Sequence, residues 1–242
     1  MKISAGTDVG MVRDSNQDSY AIGELPGGAW AVVCDGMGGH AGGNIASQLA
    51  VEKISDCIKN NFRKGMSSSS VKNVLESAII AANGEIFDRA QKDAELYGMG
   101  TTAVVAVCLD GNAVIAHVGD SRCYYVTGDV ITQVTKDHSL VQEMVDAGLI
   151  TAEEAEHHPH KNIITRALGG TYDDVEVDFE DIILSSGDML LLCTDGLTNH
   201  VPDAVLLDNL QGEDFHNFAD RLIRLANAEG GKDNITAVIM KS

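Results

Sequence analysis

Three aspartates in this sequence stand beside apolar segments that could aim their side chains at a common site. Asp35 directly follows the apolar run 30–34, and Asp195 follows the run 189–193 after one threonine. Asp233 comes shortly before a third apolar run, 235–240. Strand ends are rigid positions for functional side chains, so we expect the three carboxylates to converge.

Converging carboxylates need a counter-charge, because several anionic groups in a partly dry site repel one another. A divalent cation meets that need, and oxygen ligands without histidine or cysteine favour Mg²⁺ or Mn²⁺ over Zn²⁺. The glycine after Asp35 permits a close backbone approach, so the Gly36 carbonyl is a further candidate ligand. A single Asp-Gly pair is more typical of a β-turn. The pattern therefore indicates an oxygen-ligand metal site and leaves simple turns as the alternative.

Apolar or β-branched segments bounded by turn residues predict the strands that position these aspartates. They cover residues 30–34, 102–109, 113–117, 123–126, 130–134, 189–193 and 235–240. Asp110-Gly-Asn112 and Gly128-Asp129 are turn sequences between successive segments. The stretch that contains them is therefore predicted to be an antiparallel meander.

Apolar residues recurring every three or four positions predict helices at 71–86 and 215–226, and a third helix is expected at 45–62. Ser70 is the expected N-cap of the 71–86 helix. Helices do not alternate with the strands, so the predicted fold class is α+β: two packed antiparallel β-sheets, a β-sandwich, flanked by α-helices. Residues 137–170 break the strand pattern with short helical pieces, and a segment of that length is typical of a functional flap.

The composition excludes several classes of function. Aspartate plus glutamate number 36 against 17 lysine plus arginine, a formal charge of −19. Such a surface repels nucleic-acid phosphates and anionic lipids, so we expect neither nucleic acid nor membrane as a partner. Five cysteines without Cys-x-x-Cys spacing, together with no apolar leader or membrane-length segment, favour a cytoplasmic location. No linker or repeat divides residues 1–242, which we expect to form a single domain and a monomer.

Six ordered motifs resemble those of one enzyme family. They are Arg13-Asp-Ser-Asn-Gln-Asp18, Asp35-Gly-Met-Gly-Gly-His40, Gly100-Thr-Thr, Gly119-Asp-Ser-Arg122, Asp195-Gly and Gly231-Lys-Asp-Asn234. The series is similar to that of the metal-dependent Ser/Thr protein phosphatases, the PPM family or phosphatase type 2C, and in particular to its compact bacterial members. The resemblance implies a four-layer αββα phosphatase domain with the flap near a metal site. It also implies Mn²⁺ or Mg²⁺ as the cofactor, with two ions in each active site.

The resemblance implies a role for each matched position. Asp35 would bridge the two metal ions, with the Gly36 carbonyl on one side and Asp195 and Asp233 on the other. Asp18 would act through a metal-bound water. Two metals about 3.5–4 Å apart lower the pKa of a shared water. That water would attack phosphorus directly, without a phosphoenzyme.

Two further positions complete the implied site. Arg13 would bind the substrate phosphate, because its planar fork of donors suits phosphate oxygens. Asp120 would help to bind a third, weaker metal near the flap. The general acid stays open: animal-type members carry histidine after the metal Asp-Gly, and Met37 stands at that position here. His40 and a metal-bound water are the two candidates for the catalytic acid.

The leading functional prediction is a phosphoserine/phosphothreonine phosphatase that opposes a Ser/Thr protein kinase, with that kinase among its phosphoprotein substrates. One alternative is a phosphatase of a sigma-factor regulatory cascade. Such proteins usually carry a sensor or linker domain, and none is visible in this sequence. A second alternative is a noncatalytic pseudophosphatase that serves as a binding module. The presence of all the metal aspartates weighs against it.

Overall fold

The computed structural model describes residues 1–170 and 174–242, without the side chains of His40 and Ala41. Its strands are β1 Lys2–Asp8, β2 Asp18–Leu25, β3 Gly28–Met37, β4 Gly100–Thr101, β5 Ala103–Leu109, β6 Asn112–Val118, β7 Arg122–Thr127, β8 Val130–Gln133, β9 Leu168–Gly169, β10 Asp178–Ile183, β11 Met189–Cys193 and β12 Ile235–Lys241. Its α-helices are α1 Gly39–Asn61, α2 Ser68–Lys92, α3 Leu140–Asp146, α4 Ala152–Glu156, α5 Asp195–Thr198, α6 Asp203–Asn209 and α7 Phe218–Ala228. None of the described helices is long and apolar enough to cross a lipid bilayer.

Two antiparallel sheets form the centre of the fold. The first has the strand order β1-β12-β11-β7-β8. The second has the order β10-β6-β5-β3-β4-β9, with β2 paired to the other edge of β3. Every strand pair in the described residues is antiparallel. The predicted α+β class with two antiparallel sheets and packed helices is confirmed.

The four layers follow from strands that are buried on both faces. Along β3, Val32 packs toward α1 and α2, whereas Val33 packs into the core between the sheets. Along β11, Leu191 packs toward α7, whereas Leu192 enters the same central core. Successive side chains of a strand point to opposite faces, so a continuous apolar run fills two cores at once. The result is a helix–sheet–sheet–helix sandwich.

Five strands are absent from the sequence-based assignment: the two-residue strands β4 and β9, which are too short to carry a pattern, and the longer strands β1, β2 and β10. β1 and β10 are the edge strands of their sheets, and β2 pairs only with β3. An edge strand with a solvated face carries polar residues in place of a long apolar run, so its hydrophobic pattern is weak. The segment 178–183 shows this, since it reads Asp-Phe-Glu-Asp-Ile-Ile.

All three predicted helix starts differ from the observed ones. Helix α7 begins at Phe218, after a 3₁₀ turn at Phe215–Asn217. Helix α2 is capped by Ser67, whose hydroxyl accepts a hydrogen bond from the Ser70 amide at 3.2 Å, so the Ser70 cap was wrong. Helix α1 begins at Gly39, six residues before the predicted start. The glycines at its first turns suggest a loop in sequence, yet they let the helix lie against β3: a Cβ on Gly43 would be 2.7 Å from the carbonyl carbon of Gly36.

The predicted meander is wrong in one respect. β5 and β6 form one hairpin and β7 and β8 form another, but the two hairpins belong to different sheets. The segment 119–121 therefore carries the chain from one sheet to the other. The flap helices agree with the prediction, and Ser139 and Thr151 cap α3 and α4.

Candidate active site

Asp35 lies at the carboxyl end of β3, and neighbouring threonines fix its backbone. Its amide donates to the Thr102 hydroxyl at 2.9 Å. Its carbonyl accepts from the Thr102 amide at 2.9 Å and from the Thr101 hydroxyl at 2.8 Å. These contacts hold the Asp35 backbone at the edge of a cleft that this residue lines.

Gly36 occupies a position too crowded for any side chain. A Cβ there would lie 2.0 Å from the Gly43 carbonyl oxygen, on the opposite wall formed by helix α1. The Gly36 amide donates to the Gln17 carbonyl at 3.1 Å. The close backbone approach expected of this glycine is therefore present, and its carbonyl as a metal ligand stays a prediction.

Asp18 lies behind the cleft and is 6% exposed. Its Oδ2 accepts hydrogen bonds from the hydroxyls of Thr194 at 2.8 Å and Thr236 at 2.7 Å. Its Oδ1 is buried and has no hydrogen-bond partner. Buried carboxylate oxygens are rarely left unpaired, so this oxygen fits a group held between Asp18 and the cleft, as the predicted water would be.

Asp195 and Asp233 reach the cleft from the other sheet. Asp195 opens helix α5 directly after β11, and its Oδ2 accepts from the Asn199 side chain at 2.9 Å. Asp233 precedes β12, and its Oδ1 accepts from the Asn234 amide at 2.9 Å. The expectation that these carboxylates share one site with Asp35 agrees with the geometry, since all three line the same cleft.

Arg13 reaches this cleft from the loop between β1 and β2. Its Nη2 donates to Asp233 Oδ2 at 2.7 Å, and about half of its side chain is exposed. A guanidinium placed next to a carboxylate cluster can bind an anion there without closing the cleft. Arg13 therefore lines the cleft, and its role as the phosphate binder stays a prediction.

Asp120 lies in the crossing segment between the sheets and lines the cleft beside Asp35. The next residue, Ser121, is within 2.7 Å of the Thr102 hydroxyl, so Asp120 is tied to the same threonine that fixes Asp35. Met37 also lines the cleft. The side chain of His40, the candidate general acid, lies outside the described residues.

The cleft has a volume of about 590 Å³ and is open to solvent. The predicted residues on its walls are Arg13, Asp35, Gly36, Asp120, Asp195 and Asp233. The flap contributes Asn162 and Ile164 to the same cleft, as expected for a segment near the metal site.

Burial and neighbouring negative charges disfavour the ionised forms of Asp18, Asp35 and Asp120 by raising the pKa of each. Burial raises the pKa of Asp18 to about 7, and the charges of Asp195 and Asp233 add to it. Burial, followed by the charge of Asp195, raises the pKa of Asp120 to about 7. Burial, followed by the charges of Asp18 and Asp195, raises the pKa of Asp35 well above its usual range. An all-oxygen donor set under this repulsion fits hard divalent cations such as Mg²⁺ and Mn²⁺.

Comparison with known proteins agrees with this geometry. The sequence profile described as Protein phosphatase 2C matches residues 6–240. The chain belongs to the protein phosphatase 2C family. A serine/threonine phosphatase stp of Listeria innocua is 41% identical over 97% of this chain and 93% of its own length.

Two solved structures extend the comparison. The serine/threonine phosphatase PstP/Ppp of Mycobacterium tuberculosis has a TM-score of 0.89 and 37% identity, over 98% of this chain and 97% of the other. The catalytic domain of a phosphatase PstP, solved with two manganese ions, has a TM-score of 0.84 and 36% identity, over 98% and 96% of the two chains. The predicted family, fold and activity, a metal-dependent Ser/Thr protein phosphatase, are confirmed. Neither the sigma-factor cascade nor the pseudophosphatase alternative is better supported.

One organising residue of this protein phosphatase 2C was missed as a functional residue in the sequence. Asn234 is 5% exposed, and its side-chain amide donates to the carbonyls of Val9 at 2.9 Å and Ser15 at 3.0 Å. Its Oδ1 accepts from the Gln17 amide at 2.8 Å. One side chain therefore fixes both ends of the loop that carries Arg13. The only sequence signal for it is its place beside Asp233.

Proposed function

We propose that this protein phosphatase 2C holds two divalent cations, Mn²⁺ or Mg²⁺, in the cleft. Asp35 would be a ligand of both ions, and the Gly36 carbonyl, Asp195 and Asp233 would supply the other ligands. Asp18 acts through a water at its unpartnered Oδ1, and Asp120 holds a third, weaker ion. The observation that carries the proposal is the convergence of the Asp35, Asp195 and Asp233 carboxylates on one cleft. The relative solved with two manganese ions supports the count.

In the proposed reaction the protein holds the cations among its carboxylates and orients the substrate phosphate with Arg13. When bound, the cations offset the carboxylate charges, polarise phosphoryl oxygens and activate water as the nucleophile. Arg13 binds the phosphate through its guanidinium fork. In the free protein Arg13 is paired with Asp233. The substrate phosphate would therefore share the Arg13 guanidinium with Asp233 or replace Asp233 as its partner.

The substrates in this proposal are phosphoserine and phosphothreonine residues of proteins, among them those of a Ser/Thr protein kinase. Residues 1–242 act as a single phosphatase domain and as a monomer in the cytoplasm. The full-length match to relatives named as Ser/Thr phosphatases supports the substrate class. The open cleft supports it too, since a protein-borne phosphoresidue must reach the site from a surface.

The test is hydrolysis of a phosphothreonine peptide with Mn²⁺ present or removed by a chelator. We expect activity only with the cation, and a much lower rate on a phosphotyrosine peptide. Asp35→Asn and Asp195→Asn should each reduce turnover by at least about 100-fold, as expected for loss of a group that stabilises the transition state. Asp129→Asn, in the exposed turn between β7 and β8, is the matched control and should keep wild-type turnover.

Two results would overturn this assignment. Full turnover in either purified cleft variant would exclude its aspartate from the metal site. Unchanged turnover after complete cation removal, verified by elemental analysis, would exclude the metal chemistry.

A further inference from the structure

A second polar cluster lies outside the cleft, where the flap rejoins the seven-stranded sheet. His117 on β6 and Asp178 on β10 are register partners. The His117 ring stacks on the His138 ring, with centroids 4.6 Å apart and an angle of 20°. Arg166 of the flap donates to Asp178 Oδ1 at 3.1 Å. His117 and His138 are buried, at 2% and 7% exposure. His117 Nε2 donates to the Lys136 carbonyl at 2.9 Å, and among the described residues its buried Nδ1 has no hydrogen-bond partner.

Ligand-type atoms of His117, His138 and Asp178 lie within 4.8 Å of one another, a spacing that a metal ion could bridge. The hydrogen bonds of His138 remove it from the ligand set and leave His117 Nδ1 and Asp178, too few side-chain ligands for a metal ion. The Gly119 amide donates to His138 Nδ1 at 3.0 Å, so Nδ1 holds the lone pair and the proton is on Nε2. That Nε2 faces Asp178 Oδ2 at 3.2 Å and donates to it. Neither nitrogen of His138 is left with a free lone pair for a cation.

The same contacts make His138 a two-point clamp on Gly119. Its backbone amide donates to the Gly119 carbonyl at 3.0 Å, while its ring accepts from the Gly119 amide. Gly119 has a φ of +105° and lies against Thr102, whose Cγ2 would be 2.6 Å from an added Cβ. The clamp therefore holds the residue immediately before Asp120 against the threonine that fixes Asp35.

We propose that His138 is a positioning residue for the metal centre, acting through the Gly119 amide on the direction of the Asp120 carboxylate. Asp178 accepts from Nε2 of His138 and so keeps Nδ1 unprotonated, able to accept from the Gly119 amide. Arg166 links Asp178 to the flap. This inference rests on the proposed role of Asp120 as a ligand of the weaker cation. Supporting groups of this kind typically alter metal affinity by about 10- to 100-fold when they are lost.

Two substitutions separate the two nitrogens of the ring. In His138→Asn the side-chain oxygen can take the place of Nδ1 and accept from Gly119. In His138→Gln the terminal amide reaches the place of Nε2, so Asp178 keeps a donor and Gly119 loses its acceptor. Calorimetric titration with Mn²⁺ should show a loss of about 10-fold or more at the weakest site in the Gln variant. The Asn variant should stay within about threefold of wild type, since the acceptor is retained.

A double-mutant cycle with Asp120→Asn tests whether His138 acts through that carboxylate. If it does, adding His138→Gln to Asp120→Asn changes Mn²⁺ binding by no more than about twofold. Equal loss in the Asn and Gln variants, or losses that multiply in the double variant, would overturn the positioning role. Thermal unfolding midpoints identify variants that are only unstable.

Asp178→Asn offers a route that leaves His138 in place. The ¹⁵N shifts of the His138 ring should move toward the other tautomer, the Gly119 amide signal should shift, and Mn²⁺ binding should weaken in parallel. Unchanged ring and amide signals would contradict the relay. Lack of Mn²⁺ binding in the unaltered protein would instead contradict the proposed function, so the two failures are distinguishable.

Discussion

Asp18 and Asp35 lie directly opposite each other in the β2–β3 ladder, as a register pair of an antiparallel sheet. Directly paired residues project from the same face, and like charges in that arrangement destabilise a sheet. Burial, followed by the neighbouring charge of Asp18, raises the pKa of Asp35. The repulsion between the two carboxylates is therefore relieved when a cation or a proton neutralises one of them.

Asp18→Asn should weaken Mn²⁺ affinity by about 10- to 100-fold, the usual effect of removing a group that orients a metal site from behind. The asparagine can still accept from the Thr194 and Thr236 hydroxyls, so the sheet contact is kept. Calorimetry provides the measurement. Asp188→Asn, a buried aspartate bonded to Tyr125, is the control and should leave Mn²⁺ affinity unchanged. Wild-type affinity in Asp18→Asn would exclude its role.

The metal-free protein should lose stability as the pH rises from about 5 to 8. The pKa of Asp18 and that of Asp120 are each about 7 in the folded chain, against 3.8 unfolded. The folded state therefore binds more protons between these values, so the free energy of unfolding falls as the pH rises through about 7.

Differential scanning fluorimetry across this pH range measures the effect. Asp18→Asn and Asp120→Asn should each flatten the slope, because each removes one of the titrating groups. Saturating Mg²⁺ should raise the midpoint more at pH 8 than at pH 5, since a bound cation requires ionised ligands. A metal-free midpoint that climbs steadily with pH would contradict the pKa shifts.

Arg13→Ala should lower kcat/KM for a phosphothreonine peptide by about 10- to 100-fold, the range for a lost charge-assisted hydrogen bond. Most of the change should lie in KM if the guanidinium binds ground state and transition state alike. Mn²⁺ affinity should be kept, because Asp233 loses only a competing cation. Arg224→Ala, exposed on α7, serves as the control. Unaltered kcat/KM would leave Arg13 outside the phosphate site.

Asn234→Ala should lower the free energy of unfolding by about 2–4 kcal/mol, because three hydrogen bonds to one loop are lost together. The same change should reduce kcat/KM, since the loop carries Arg13. Urea denaturation and peptide kinetics measure the two effects. Asn209→Ala removes one side-chain bond within helix α6 and should cost far less. Kinetics identical to wild type would mean that the loop is fixed without Asn234.

The sequence predicted the parts of the fold whose signal is local. β3 and β11 carry apolar runs because both of their faces are buried, and they were assigned from those runs. The edge strands β1, β2 and β10 have one partner strand each in the described chain, so mixed composition concealed them. The crossing at Asp120 depends on which sheet each hairpin joins, and no local pattern specifies that.

The candidate site likewise contains residues with a local sequence signal and contacts that only the fold creates. Asp35 and Asp195 could be predicted as site residues because their residue type and their place at a strand end are both visible in the sequence. The Arg13–Asp233 ion pair joins residues 220 positions apart, and only the folded chain brings them together. Asn234 and His138 act through backbone amides and carbonyls, for which neither side-chain chemistry nor spacing gives a signal.

The aspartates in and behind the cleft come from both halves of the sandwich: Asp18 and Asp35 from one sheet, Asp195 and Asp233 from the ends of strands in the other. An ion shared between them has no counterpart in the unfolded chain. At about 100 times its dissociation constant it adds roughly 2.7 kcal/mol to stability. Proteolytic cleavage of transiently opened chains follows the population of the open form. Cation supply would thus set how long each molecule survives proteases as well as how fast it works.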